Sequence, residues 1–247
     1  RYFLLWILWR IKLKDIHSHI LPGIDDGARN VEESIKLLEK FYDNGVTDII
    51  LTPHYIYNSN YNSNNKEKML LLNEVKKKWR KVNLYLGNEV YISDNIPELI
   101  KQNEISTLNN SKYLLIELPM NSEIKNLDSI IFDIMRNGII PIIAHPERYV
   151  YVQNNINYFD EFLDMGVLLQ GNYESLFNKY GSRVNKTLKK LLKNNAITFL
   201  GSDIHRIDHK SNIEQLIKKL LKVIKDKEKI DLLINKNIEK VIKNEDI

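Results

Sequence analysis

Apolar residues fall into two alternating patterns along this chain. Short, nearly continuous apolar runs at residues 11–17, 48–54, 84–89, 113–118, 140–145, 167–171 and 197–203 read as strands. Longer stretches between them repeat at helical spacing. After Asn30, Val31, Ile35, Leu38 and Phe41 recur every three or four residues until Asn44-Gly45, and Glu33 follows the capping Asn30 by three positions. Further helices are expected over about 66–80, 127–137, 157–165, 183–195 and 212–243, the last broken into two or three pieces.

Strands alternating with helices predict parallel pairing through right-handed crossovers. The apolar runs in DIIL, YLLI and PIIA imply strands covered on both faces. The pattern therefore predicts an α/β fold, a β/α barrel or covered sheet, with seven strand units where a regular barrel has eight. A length of 247 residues, 43% of them hydrophobic, suits one large core, and no repeat or Pro-rich linker marks a boundary. The expected organisation is one domain over 11–247 behind an apolar extension at 1–10. The run from Tyr2 to Trp9 is shorter than the ~20 residues that span a bilayer, and no small-residue cleavage site follows it.

Six of the seven strand units end on, or just before, a metal-ligating residue type: His17 and His19, His54, Glu89, Glu117, His145, then Asp203 and His205. Each has an ordinary explanation when taken alone, as a turn histidine or a helix-capping carboxylate. In a parallel barrel, however, all strand C-termini share one rim, so these groups converge. The stretch DIHSHILPGIDDG adds Asp26 and places His17 and His19 on one face of a strand, because strand side chains alternate. DIH at 203–205 repeats that spacing.

Charge narrows the chemistry. Lys and Arg number 36 against 32 Asp and Glu, a net +4 that carries no concentrated nucleic-acid footprint. The run Lys76, Lys77, Lys78 reads as a solvated helix face. The chain has no cysteine, which removes disulfides and every thiolate nucleophile. Nine nitrogen and oxygen donors without sulfur suit two or three divalent ions, with Mn, Fe, Zn and Mg all compatible. Three such ions would bring +6 against the four carboxylates' −4, a site that favours an anionic substrate such as a phosphate ester. Clustered ions also lower the pKa of bound water to about 7.

The motifs DIHSHILPGIDDG, TPHY, GNEVYI, LIELPMN, PIIAHPERY and GSDIHR, in this order, resemble the bacterial capsular-polysaccharide-type protein tyrosine phosphatases of the polymerase-and-histidinol-phosphatase (PHP) superfamily. HxH and DxH are shared across that superfamily, whereas LIELPMN and AHPERY are closer to the phosphatases. The resemblance implies a distorted seven-stranded barrel with a trinuclear centre, most readily of Mn. His17, His19 and Asp203 would hold one ion, with Glu89 bridging to a second that Glu117 and His145 complete. Asp26, His54 and His205 would hold the third. Arg148 matches a phosphate-binding arginine, and either Arg206 or Lys210 takes the place of a second cation, while His209 matches no ligand position.

The resemblance further implies a cytoplasmic enzyme acting on phosphotyrosine, with a membrane-associated bacterial tyrosine kinase of capsule or exopolysaccharide assembly as its partner. Three other readings stand beside it: a histidinol-phosphate phosphatase, a nuclease-type module, and a non-catalytic scaffold for the kinase. The loop at 55–65 should overhang the site, with Tyr55, Tyr57 and Tyr61 as candidates to line its entrance.

Overall fold

The computed structural model describes residues 13–206 and 213–247. The N-terminal extension, His209 and Lys210 lie outside the described residues. Strands β1 (Leu13–Asp15), β2 (Val46–Leu51), β3 (His54–Tyr55), β4 (Asn83–Leu86), β5 (Glu89–Tyr91), β6 (Tyr113–Glu117), β7 (Ile140–Ala144), β8 (Leu168–Asn172) and β9 (Phe199–Gly201) form two sheets, ordered β1-β2-β4 and β3-β5-β6-β7-β8-β9. Every strand pairing is parallel.

Among the described residues, nine strands occupy seven positions because two of the expected strands are each broken near their C-terminal end. Thr52-Pro53 separates β2 from β3, since proline has no N–H for the ladder, and Gly87-Asn88 separates β4 from β5. The pairing continues past the breaks through Gly87 N–H to Leu51 O at 2.9 Å and Glu89 N–H to Pro53 O at 3.2 Å. A parallel bridge between Ser18 and Ile204 then joins the end of the chain's last strand unit to its first. The pairings thus run once around a closed seven-position ring, the distorted barrel expected.

Alternation along the strands divides the core. Ile50, Tyr113, Leu115, Ile142, Ala144 and Phe199 face inward in one compact cluster. Their neighbours Ile49, Leu51, Leu114, Ile116, Ile143 and Leu200 face outward into a larger cluster that meets the helices. Near-continuous apolar strands are the consequence, as anticipated for strands buried on both faces.

The helix Val31–Asp43 begins at Asn30, whose side chain accepts from Glu33 N–H at 3.0 Å. The Glu33 carboxylate turns to Arg29 instead of closing the box on Asn30. Helices also cover Asn65–Lys78, Leu127–Arg136 and Ser182–Lys193. The stretch expected as 157–165 contains only the short helix Asp160–Asp164, and the C-terminal stretch is broken into pieces, ending in Asn237–Lys243. Ile238 and Val241 of that last helix insert into the inner cluster and close the N-terminal end of the barrel.

Candidate metal centre

At the opposite end, the C-terminal rim, inward alternation carries each strand from apolar to ligating residues. On β6 the inward sequence is Tyr113, Leu115, Glu117. Two strand ends need unusual backbone to aim inward: His145 just after β7 has φ 35°, and Asp203 just after β9 has φ 52°. Both lie in the left-handed region that non-glycine residues rarely occupy, a concentration of strain expected at a functional site. Two glycines make room. A Cβ on Gly27 would lie 2.0 Å from His19 O, so only glycine lets the Asp25-Asp26 turn fold against the first strand unit, and one on Gly201 would crowd His17 Cβ at 2.9 Å.

The nine expected residues converge. His17, His19, Glu89 and Asp203, all buried, offer ligand atoms within 4.8 Å of one another. His17 Nε2 lies 3.2 Å from Glu89 Oε2 and 3.5 Å from Asp203 Oδ1, and His19 Nε2 lies 3.3 and 3.4 Å from the same two oxygens. A second group joins Asp26, His54 and His205 with His19, and a third joins Glu89 and Glu117 with His54. His145 reaches the same carboxylates, with Nε2 3.0 Å from Glu89 Oε1 and 3.7 Å from Glu117 Oε1. Glu89 is central, touching four histidines.

The outward nitrogens explain the orientation. Gln170 Nε2 donates to Gly171 O and Asn172 Oδ1, leaving its carbonyl oxygen to accept from His17 Nδ1–H at 2.7 Å. His19 Nδ1–H donates to Asp25 Oδ2 at 2.8 Å, and His205 Nδ1–H to the Asp203 carbonyl at 3.0 Å. In all three rings this turns Nε2 toward the carboxylates, the nitrogen that a metal would take on displacing its proton. Meanwhile buried His54 Nδ1 and Glu89 Oε2 approach to 3.0 Å without forming a hydrogen bond. Converging lone pairs and carboxylates of this kind suit divalent cations, and the clustered residues can bind them.

Comparisons with known proteins place the chain in a family. The family model described as capsular polysaccharide synthesis, CpsB/CapC, matches residues 13–243. The chain belongs to this family. It is 37% identical to CapC of Staphylococcus aureus over 79% of this chain and 78% of that one. It is 30% identical to the tyrosine-protein phosphatase CpsB of Streptococcus agalactiae over 93% of this chain and 98% of that one. Its fold is similar to a chain from the crystal structures of Bacillus subtilis YwqE and Streptococcus pneumoniae CpsB, metal-dependent tyrosine phosphatases, with TM-score 0.84 and 26% identity over 95% of this chain and 96% of that one.

Electrostatics in this CpsB/CapC chain follow from the packing of opposite charges. Burial would lower His17, but Glu89 and Asp203 outweigh it and raise it to about 9. Burial would raise Glu89, yet the surrounding histidines hold it well below its usual range. Glu117 is pushed up to about 7, first by burial and then by the neighbouring Glu89 charge. His145 falls to about 4 through burial and the nearby Arg148.

A cavity of about 540 Å³ opens beside this cluster, lined by both Arg148 and Arg206 as well as Lys179. Arg148 Nη1 donates to Asp203 Oδ2 at 2.9 Å. Of the three loop tyrosines, only Tyr61 lines the cavity, stacked near His54 with ring centroids 6.0 Å apart. Tyr55 is buried and Tyr57 points to solvent. Sequence reasoning missed Tyr91 and Tyr180 on the cavity wall, and also the supporting residues Asp25, Gln170 and Asn172. Asp25 had a signal in the DD pair. Gln170 had none beyond its place in an apolar strand.

Among the described residues no helix is long and apolar enough to cross a membrane.

Proposed function

We propose that this chain is a metal-dependent protein tyrosine phosphatase whose site residues hold three divalent ions, most readily Mn, with Fe, Zn or Mg as chemically compatible substitutes. His17, His19 and Asp203 would hold one, Glu89 would bridge to a second held by Glu117 and His145, and Asp26, His54 and His205 would hold the third. The observation that carries this reading is the set of outward nitrogens on His17, His19 and His205, each engaged by an acceptor so that the inner nitrogen faces the carboxylates. When bound, such a cluster supplies a nucleophile from water at neutral pH and positive charge beside the reacting oxygens.

The protein's own groups do the rest. Arg148, anchored by Asp203, presents its remaining N–H donors to the cavity and holds equatorial phosphate oxygens as charge develops. Arg206 and Lys179 add positive charge at the mouth. Tyr61 and Tyr91 give an aryl group apolar faces to lie against. A phenolate leaves from a parent acid of pKa about 10, so no strong general acid is required. The natural substrate is the phosphorylated tyrosine kinase of capsule or exopolysaccharide assembly, met by residues 11–247 acting as one cytoplasmic domain beside the membrane.

The test is hydrolysis of p-nitrophenyl phosphate, a phosphotyrosine peptide and histidinol phosphate by metal-stripped protein with Mn restored. Mn-dependent turnover that favours the peptide is expected, and Arg148→Ala should lower kcat/KM by about 10²–10³. Preference for histidinol phosphate would move the reading to that substrate. Absence of turnover by folded protein with any divalent metal would sink it.

A further inference from the structure

The Arg148 guanidinium is held from two sides. On one, Nη1 donates to Asp203 Oδ2 at 2.9 Å, and the same oxygen accepts from Asn172 Nδ2 at 2.7 Å. On the other, its Cζ lies 4.6 Å from the centroid of the Tyr180 ring, inside the range of a cation over an aromatic face. An arginine side chain has several rotatable bonds, and one ion pair leaves much of that freedom intact. Two contacts on different sides remove it.

The loop that carries Tyr180 is built to stay in register with Arg148. After β8 comes the 3-10 helix Tyr173–Phe177, then a turn through Asn178 at φ 61° and Gly181 at φ 93° into the helix Ser182–Lys193. Glu147, the residue before Arg148, is fully buried and ties this segment down. Its Oε1 accepts from Asn172 N–H at 2.9 Å and from Ser175 Oγ–H at 2.7 Å, while Asn185 Nδ2 donates to Ser175 O at 2.8 Å. The loop end and the arginine therefore share one anchor.

We infer that Tyr180 is a positioning residue for Arg148: its ring face fixes the guanidinium plane so that the free N–H groups meet the phosphate. This rests on the reading of Arg148 as a phosphate ligand. The aromatic face carries the role, and the phenol hydroxyl does not.

The experiment uses full-length, metal-loaded protein in two readouts: kinetics with p-nitrophenyl phosphate and calorimetric binding of inorganic phosphate. Tyr180→Phe should stay within about twofold of the parent in both. Tyr180→Leu should lose about tenfold in kcat/KM and about tenfold in phosphate affinity, with metal content unchanged. In the Arg148→Ala background, Tyr180→Leu should cost nothing further, because its effect passes through the arginine. Full additivity of the two changes, or unaltered phosphate affinity in Tyr180→Leu with a loss only on aryl substrates, would overturn the inference. Tyr180→Gln, suited to a half-buried loop, repeats the test if Tyr180→Leu fails to fold. A parent protein without turnover would fail the phosphatase reading instead, a result separate from any difference among Tyr180 variants in phosphate binding.

Discussion

The two ends of the barrel both bury charge, and they do it differently. At the N-terminal end, Asp48 is saturated: Lys14 Nζ donates at 3.0 Å, Asn83 Nδ2 at 3.0 Å, Thr47 Oγ1 at 2.6 Å and the Tyr85 hydroxyl at 3.2 Å. Lys14 is the one base of this cluster, with Glu239 Oε2 a more distant second acid at 3.9 Å, and neutral donors fill the remaining lone pairs of Asp48. At the C-terminal rim, carboxylates and histidine nitrogens crowd together, and buried His54 Nδ1, Glu89 Oε2 and His145 Nδ1 make no hydrogen bond. Buried polar groups are normally satisfied, because an unpaired one costs about 1–3 kcal/mol. A satisfied cluster is a structural plug, and an unsatisfied one of metal-ligand types is a site.

Removing a group from each end should therefore produce opposite signatures. His17→Ala forfeits several kcal/mol of transition-state stabilisation, about three orders of magnitude in rate, and lowers bound metal measured by atomic absorption. Full metal content and normal turnover in that variant would break the contrast. Asp48→Ala leaves the buried Lys14 ammonium with only the distant Glu239 carboxylate and should cost about 3 kcal/mol in denaturant unfolding, while kcat/KM of the folded fraction is unchanged. A loss of activity without a loss of stability would show that the lower end is not merely structural.

Smaller effects sharpen the comparison. Asp25→Ala removes the acceptor that orients His19, and metal affinity by titration should fall about 10–100-fold. An unchanged affinity would mean that packing alone sets that ring.

The smallest effect is a pH dependence at the lower end. Burial alone would raise Asp48, but donors from Thr47, Asn83 and Lys14 hold it below its ordinary value. A depressed carboxyl stabilises the fold above its unfolded pKa of about 3.9, and that stability is lost as pH falls through the lower folded value. The Tm gap between the parent and Asp48→Asn should therefore narrow from pH 6 to pH 3. A constant gap would assign the stability to packing.

The strand ends were legible because a parallel barrel turns a one-dimensional rule, a His or acid after an apolar run, into a shared location. The breaks at Thr52-Pro53 and Gly87-Asn88 were less legible. Each expected run continued in composition across its break, and only the ladder's demand for N–H groups and register divides it. The aromatic wall was read correctly at Tyr61 alone of the three loop tyrosines. Tyr55, Tyr57 and Tyr61 are close in sequence, yet the hydrogen bond from Ile56 N–H to Tyr61 O folds that loop so that only Tyr61 turns toward the cavity.

By itself the sequence determined the alternation of strands and helices, the α/β class, the absence of thiol chemistry and the identity of the nine residues that converge. Periodicity and residue type are local properties, written in neighbouring positions. Only the tertiary structure decided which nitrogen of each histidine faces inward, that Asp25 supports and Asp26 lines the cavity, that Gln170, Asn172 and Glu147 stand behind the site, and that Tyr180 lies on its wall against Arg148. Those roles belong to hydrogen bonds and ring contacts between residues as far apart as 17 and 170, and such pairings exist only once the ring of strands has closed.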